Sequence, residues 1–309
     1  MDARFDRLTP EAFARFVAAE EGSSSLGTVD GDPGVVALAQ LLWHLHNRHR
    51  RLAYDAGPFL VGITGSVAVG KSTLALQLRN RLSRLGLDGT VVVTTDAFLY
   101  PNHMLEGMGR MSRKGFPESF DVARLLAFLT GLRHPSRAPQ EIPVYSHEQK
   151  DIVAGQSRLI EIGEVMVLEG VNLLSEQFHY HGEAYGVRDF LDCAVYVEAA
   201  PDDVESWFHD RFVQAREATA DKDNEYFERL KDLDTAQFDE YVANIWHSVN
   251  LQLVNEALVP FRETVDLVLR KNRGHAVAGV ELSHRFRDLV RGGEAMAADP
   301  GPERLGYQR

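Results

Sequence analysis

Cysteine is nearly missing from this chain. Among 309 residues only Cys193 occurs, so no intrachain disulfide can form, which fits a reducing compartment. Its setting in the apolar run Asp192-Cys193-Ala194-Val195-Tyr196-Val197 reads as a core thiol. Long apolar stretches are missing too: none approaches the roughly 20 residues needed to span a bilayer. The start, Met1-Asp2-Ala3-Arg4-Phe5-Asp6, lacks the basic residues and apolar run of a secretory signal. Positive charge is the third shortage. Against 45 Asp and Glu stand 33 Lys and Arg, a formal net charge of −12 with a pI near 5.5. Nucleic-acid binders present basic faces that neutralise phosphates, so this balance argues against such a partner. The expectation is a soluble cytoplasmic protein with no membrane or nucleic-acid partner, and its 44% hydrophobic residues are enough for a substantial core.

The apolar pattern divides the chain in three. Residues 9–20 read as a helix opened by Thr9-Pro10-Glu11, and a Gly/Ser/Asp-rich connection runs from Gly22 to Gly34, so residues 1–34 are expected to form a helical appendage and linker. Val35 to Leu52 has apolar residues at helical spacing, and its histidines His44, His46 and His49 read as an exposed face, since no Cys or carboxylate partner falls at metal-ligand spacing. From Phe59 short apolar runs alternate with helical stretches, the pattern of an α/β domain with a mostly parallel sheet. Strands are expected at Phe59–Thr64, Thr90–Thr95, Val165–Glu169, Cys193–Val197 and Val265–Leu269, and helices over 72–85, 122–131, 202–217 and 236–258. The main domain is placed at 35–290, and 291–309, rich in Gly, Pro and Ala, reads as a loose tail.

The strongest local signal is Gly65-Ser66-Val67-Ala68-Val69-Gly70-Lys71-Ser72-Thr73, a G-x-x-x-x-G-K-[ST] loop directly after a strand. Its glycines permit a tight loop whose N–H groups converge on phosphates. Lys71 adds a positive charge near the β and γ phosphates, Ser72 offers a hydroxyl to Mg²⁺, and the next helix aims its positive end at the same anions. Asp96 follows the run Val91-Val92-Val93-Thr94-Thr95, at the carboxyl edge where α/β sheets assemble ligand sites. It can accept the proton of an attacking hydroxyl; a turn or helix-cap role is the rival reading. Glu169 ends Val165-Met166-Val167-Leu168, where P-loop proteins commonly hold Mg²⁺. Arg211 and Arg216 share one helical stretch, and an arginine there can neutralise charge on a transferred phosphoryl group.

Together with the phosphate loop, four further segments carry a family resemblance: Thr94-Thr95-Asp96-Ala97-Phe98-Leu99-Tyr100-Pro101-Asn102, Arg113-Lys114-Gly115-Phe116-Pro117-Glu118-Ser119-Phe120-Asp121, Pro143-Val144-Tyr145-Ser146-His147 and Leu168-Glu169-Gly170-Val171-Asn172. In this order they resemble the type I pantothenate kinases over about residues 35–290. The resemblance implies a three-layer α/β/α P-loop kinase fold, a homodimer, Mg²⁺-ATP as donor, the primary hydroxyl of pantothenate as acceptor, and coenzyme A as a feedback inhibitor. By position it gives Asp96 as the catalytic aspartate and Arg211 as the phosphate-stabilising arginine. Lys114, Tyr145 and His147 match residues lining the pantothenate or coenzyme A pocket. Lys271-Asn272-Arg273-Gly274-His275 resembles a segment that helps to hold adenine, with Lys271 and His275 the matching residues.

Departures fall on the acceptor side. Phe208 stands where the family has a substrate-bonding Tyr, and Ala215 where a second Phe is common. Glu148, Gln149 and Lys150 replace an apolar pair and a Tyr, and Leu253 falls where a substrate-binding Asn is expected. Since hydrogen-bonding groups give a site much of its discrimination, a paralogue phosphorylating another small alcohol is the alternative enzyme. A non-catalytic nucleotide-dependent regulator is the alternative outside enzymes; no Asn-Lys-x-Asp guanine signature occurs, and Asp96 with Arg211 would be superfluous in it.

Overall fold

The computed structural model describes residues 4–20, 31–52, 57–134, 136–174, 176–180, 183–218, 230 and 232–292. The expected tail after Arg291 therefore lies almost wholly outside the described residues, as does most of the expected linker.

A seven-stranded sheet forms the centre. Its strands are β1 (Phe5–Leu8), β2 (Phe59–Gly65), β3 (Thr90–Thr94), β6 (Val165–Glu169), β9 (Cys193–Glu198), β10 (Leu267–Lys271) and β11 (Val277–Ser283), in the order β1-β11-β10-β9-β2-β6-β3. The five from β10 to β3 run parallel, while β11 pairs antiparallel with both β10 and β1. Two separate hairpins complete the strands: β4 (Gln140–Ser146) with β5 (Asp151–Ile160), and β7 (Glu176–Tyr180) with β8 (Glu183–Gly186).

Strand alternation explains the layering. Because successive side chains point to opposite faces, Val61, Ile63, Val165, Val167, Val195 and Leu269 join one buried cluster with the helices α1 (Pro10–Glu20), α2 (Pro33–Leu52) and α3 (Lys71–Arg84). Leu60, Met166, Leu168, Ala194 and Val268 join the other, beneath α5 (Val122–Arg133), which follows the short α4 (Asn102–Gly107). Parallel strands covered on both faces read as near-continuous apolar runs, which is why they stood out in the sequence. Cys193 is fully buried, and desolvation pushes its thiol well above its usual pKa, in line with a core residue.

Three expectations need correction. Phe5–Leu8, with no strand expected, is the sheet's edge, paired to β11 through Phe5 opposite Ser283 and Leu8 opposite Val280. His46 does not lie on an exposed face: it is 1% exposed, with its ring edge-on to Phe59 at 6.4 Å, because α2 is covered by α1, α3 and β11. Burial lowers its pKa and favours the neutral ring. The helix expected over 236–258 is regular only as α7 (Thr235–Ile245) after α6 (Pro201–Ala218); it continues as π-helical turns at Trp246–Asn250 and Val254–Leu258. No helix among the described residues is long and apolar enough to cross a membrane.

Phe13 on α1 is fully buried in the cluster that α2 and the sheet share. Phe13→Ala is expected to cost about 3–5 kcal/mol of unfolding free energy, read as a lower midpoint in urea denaturation.

Candidate active site

The loop from β2 to α3 has the backbone its sequence demands. Gly65, Ala68 and Gly70 have positive φ, of 145°, 65° and 89°. At Gly65 a Cβ would lie 2.3 Å from the Val197 carbonyl oxygen of the neighbouring strand, so glycine alone fits. Gly70 is the N-cap of α3 and supplies no side-chain cap, which leaves the N–H groups of the first turn directed to an anion. Lys71 is buried, and its Nζ donates to the Ser66 carbonyl at 2.8 Å. Desolvation lowers its pKa, opposed by the charges of Glu169 and Asp96.

Glu169 and Asp96 arrive from adjacent strands. β6 lies between β2 and β3, with Glu169 level with Ile63 on one side and Thr94 on the other. The Ser72 hydroxyl donates to Glu169 Oε1 at 3.0 Å. Asp96 sits two residues past the end of β3 in a short 3₁₀ turn, Thr95–Phe98, where its N–H donates to Thr94 Oγ1; a turn role and a site role thus coexist. Burial raises the Asp96 pKa and Glu169 raises it further, while His147, Lys71 and Arg211 pull it back. Next to it Thr95 Oγ1 donates to Asn172 Oδ1 at 2.8 Å, tying the segment after β3 to the one after β6. These oxygens and the Lys71 ammonium can hold phosphate and a hard cation, and Asp96 can take a proton.

The second half of the site comes from the β4–β5 hairpin. Tyr145 and His147 lie edge-to-face at 5.2 Å. Lys114 reaches across with Nζ 5.7 Å from the Tyr145 ring centre, donating to Asn102 Oδ1 at 2.5 Å and to the Lys150 carbonyl. Burial lowers the Lys114 pKa, with Asp151 and Asp96 opposing. Arg211 stands on the exposed side of α6, in the field of Asp96, Lys71 and Lys150. Arg216 is not part of this group. It donates to the Leu233 carbonyl at 2.9 Å and lies 4.5 Å from the Phe238 ring, joining α6 to α7. Phe208 is placed in an aromatic cluster, with Phe212 at 4.8 Å and Trp246 at 5.5 Å, and is 3% exposed; an apolar ring gains more there than at a polar pocket wall. Leu253 is likewise buried, 3.8 Å from where a Cβ on Gly115 would stand.

The turn between β10 and β11 closes over the loop. Lys271 Nζ donates to the Val69 carbonyl at 3.0 Å. His275 stacks on Trp207 at 4.0 Å, and Trp207 Nε1 donates to the Arg273 carbonyl at 3.3 Å. Among the described residues no cluster of three or more His, Cys, Asp or Glu suited to a metal is found.

Residues 60–245 match the Phosphoribulokinase / Uridine kinase family. A pantothenate kinase from Rhizobium etli is 36% identical over 251 residues, covering 80% of this chain and 76% of that one. Another from Streptococcus pneumoniae is 36% identical over 226 residues, 73% of this chain and 72% of its own. The chain belongs to this family, within its type I pantothenate kinases. A D-glycerate 3-kinase from Cryptococcus neoformans shares the fold, with a TM-score of 0.58 at 16% identity over 80% of this chain and 98% of that one. The protein is thus an ATP-dependent phosphotransferase with an alcohol group as acceptor, built on the three-layer P-loop kinase fold.

Three participants in the geometry carried no role in the sequence reading. Asn102 and Asn172 sit at the ends of segments that bear the family resemblance, so their positions were legible although their partners, Lys114 and Thr95, were not. Trp207 meets His275 across 68 residues of chain, a contact with no local sequence signal. The family's nucleotide-free state offers a direct check on the acid pair. The Asp96 carboxyl is expected to titrate above the usual aspartate range in ¹³C NMR, and Glu169→Gln to lower that pKa by removing a neighbouring negative charge.

Proposed function

We propose that the protein transfers the γ-phosphoryl group of ATP to the primary hydroxyl of pantothenate, the first step of coenzyme A biosynthesis. The observation that carries this reading is the convergence of Lys71, Glu169 and Asp96 at one sheet edge, in a chain 36% identical to proteins named pantothenate kinase.

In this reading the loop 65–73 cradles the phosphates with its N–H groups, and Lys71 turns from the Ser66 carbonyl to the β and γ phosphates. Lys271 and His275 hold the nucleotide from the β10–β11 turn. The Ser72 hydroxyl bonded to the Glu169 carboxylate is a pair of hard oxygen donors suited to Mg²⁺. Bound there, Mg²⁺ would spread the negative charge of the phosphates. Asp96 accepts the hydroxyl proton as the acceptor oxygen bonds to the γ-phosphorus and the bond to the β,γ-bridging oxygen breaks, releasing ADP. Its raised pKa makes it a stronger base than an ordinary aspartate, and the cations around it keep the ionised form accessible. Arg211 offsets charge on the transferred group, while Lys114, Tyr145 and His147 hold the acceptor, with Phe208 supporting that wall through Phe212. Homodimeric assembly, coenzyme A as a feedback ligand and a cytoplasmic location belong to the same reading and rest on the resemblance.

Two substitutions test it in purified protein supplied with Mg²⁺-ATP and pantothenate. Lys71→Ala is expected to abolish turnover with the fold intact by circular dichroism; near-native turnover would remove the phosphate site from the loop. Asp96→Asn is expected to lower turnover by about 10² to 10⁴ with ATP affinity nearly unchanged in calorimetry, whereas matching loss of nucleotide binding would make Asp96 a metal or structural residue.

A further inference from the structure

The turn of the β4–β5 hairpin holds Lys150 in a left-handed conformation, with φ of 50°. Its two ends are both engaged. The backbone carbonyl accepts from Lys114 Nζ, and the side-chain ammonium lies 4.4 Å from the ring centre of Phe212 on α6. Phe212 directly follows Arg211 on α6, and the Lys150 ammonium lies within the field of the Arg211 guanidinium. Lys114 and Arg211 both repel it, and burial together with that repulsion lowers its pKa to about 8. The same two cations lie in the field of the Asp96 carboxylate.

Holding Lys150 where Arg211 and Lys114 repel it costs free energy that an anion arriving there would recover. Asp151 and Asp96 offset part of this charge at Lys114, Asp96 on the side where the acceptor hydroxyl must bind. Lys150 extends the cationic group beyond it on a hairpin outside the central sheet. Taking the acceptor to be pantothenate, as proposed above, its carboxylate lies at the opposite end of the molecule from the phosphorylated hydroxyl.

We infer that Lys150 is a specificity-determining residue that binds the acceptor carboxylate, with Lys114 flanking it, so that the enzyme selects an acceptor carrying an anionic group remote from its reacting hydroxyl. Steady-state kinetics with two acceptors separate this from a purely structural role: pantothenate, and pantothenol, in which a neutral alcohol replaces the carboxylate. Lys150→Asn removes the charge and keeps a residue that tolerates the left-handed backbone; Lys150→Arg keeps the charge. A hydrogen bond to a charged group is worth about tenfold to a hundredfold, so Lys150→Asn is expected to raise KM for pantothenate by about that factor, with kcat little changed and the loss confined to the anionic acceptor. Lys150→Arg is expected to restore most of the preference. Equal losses for both acceptors in a folded Lys150→Asn protein, or no loss for either, would overturn the inference while leaving the kinase reading intact. Failure of the unmodified protein to phosphorylate either acceptor would overturn the pantothenate reading itself, and the inference with it.

Discussion

Taking the Lys71 ammonium out of water costs several kcal/mol unless acceptors and negative charge replace its hydration, and three adjacent strands provide that replacement. β2 leads into the loop whose Ser66 carbonyl accepts from Lys71, β6 ends on Glu169, and β3 leads to Asp96. The strand order β2-β6-β3 is therefore what makes a buried lysine tolerable, and it sets the two carboxylates on the same side of the phosphate loop. In return they tune Asp96: Glu169 raises its pKa, and Lys71 restrains the rise. A substitution at Glu169 would alter the pKa of both Lys71 and Asp96, so the three act as one electrostatic unit rather than as separate residues.

That unit is tied down at several points. Ser72 binds Glu169, Thr95 binds Asn172, and Lys271 reaches from the far β10–β11 turn to the Val69 carbonyl. The turn is in turn held on α6 by the His275 ring on Trp207. Helix α6 carries Arg211 on one side and buries Phe208 and Phe212 on the other. The phosphate loop and the arginine are thereby positioned by the same core.

How much of this was legible in the sequence follows from how local each signal is. The loop 65–73 and the two acidic strand ends were legible because strand, turn and helix are consecutive and the buried parallel strands are uniformly apolar. Edge strand β1 was not, since Phe5–Leu8 is a strand only through pairing with β11 nearly the whole chain away. Strand β5 was missed for a different reason: most of its residues are exposed, so it has no alternating apolar pattern to read. His46 was misplaced because a helix packed on more than one side buries polar positions that a simple amphipathic pattern assigns to solvent. At Leu253 the difficulty is register. The π-helical turns on either side of it widen the helix relative to 3.6 residues per turn, so residue counting no longer tells which face a side chain occupies. The buried asparagine of that stretch is Asn250, already bonded through Nδ2 to the Ile245 carbonyl at 3.5 Å.

The departures from the family pattern make physical sense once the two halves of the site are seen on different supports. Donor-side groups sit on the central sheet and on the helix after β2, where a change in one residue disturbs strand register, loop backbone and the buried charges together. Lys150, Glu148 and Gln149 sit in the turn of a two-stranded hairpin that shares no strand with that sheet. A turn residue there can change charge at the cost of its own backbone conformation and nearest contacts alone. The contacts that remain, Lys114 to the Lys150 carbonyl and the Lys150 ammonium over Phe212, depend on the backbone and on a buried ring rather than on a shared hydrogen-bond network with Asp96. Acceptor recognition can therefore diverge while phosphoryl-transfer chemistry stays fixed, which is the division that this sequence displays between its intact phosphate loop and its altered hairpin.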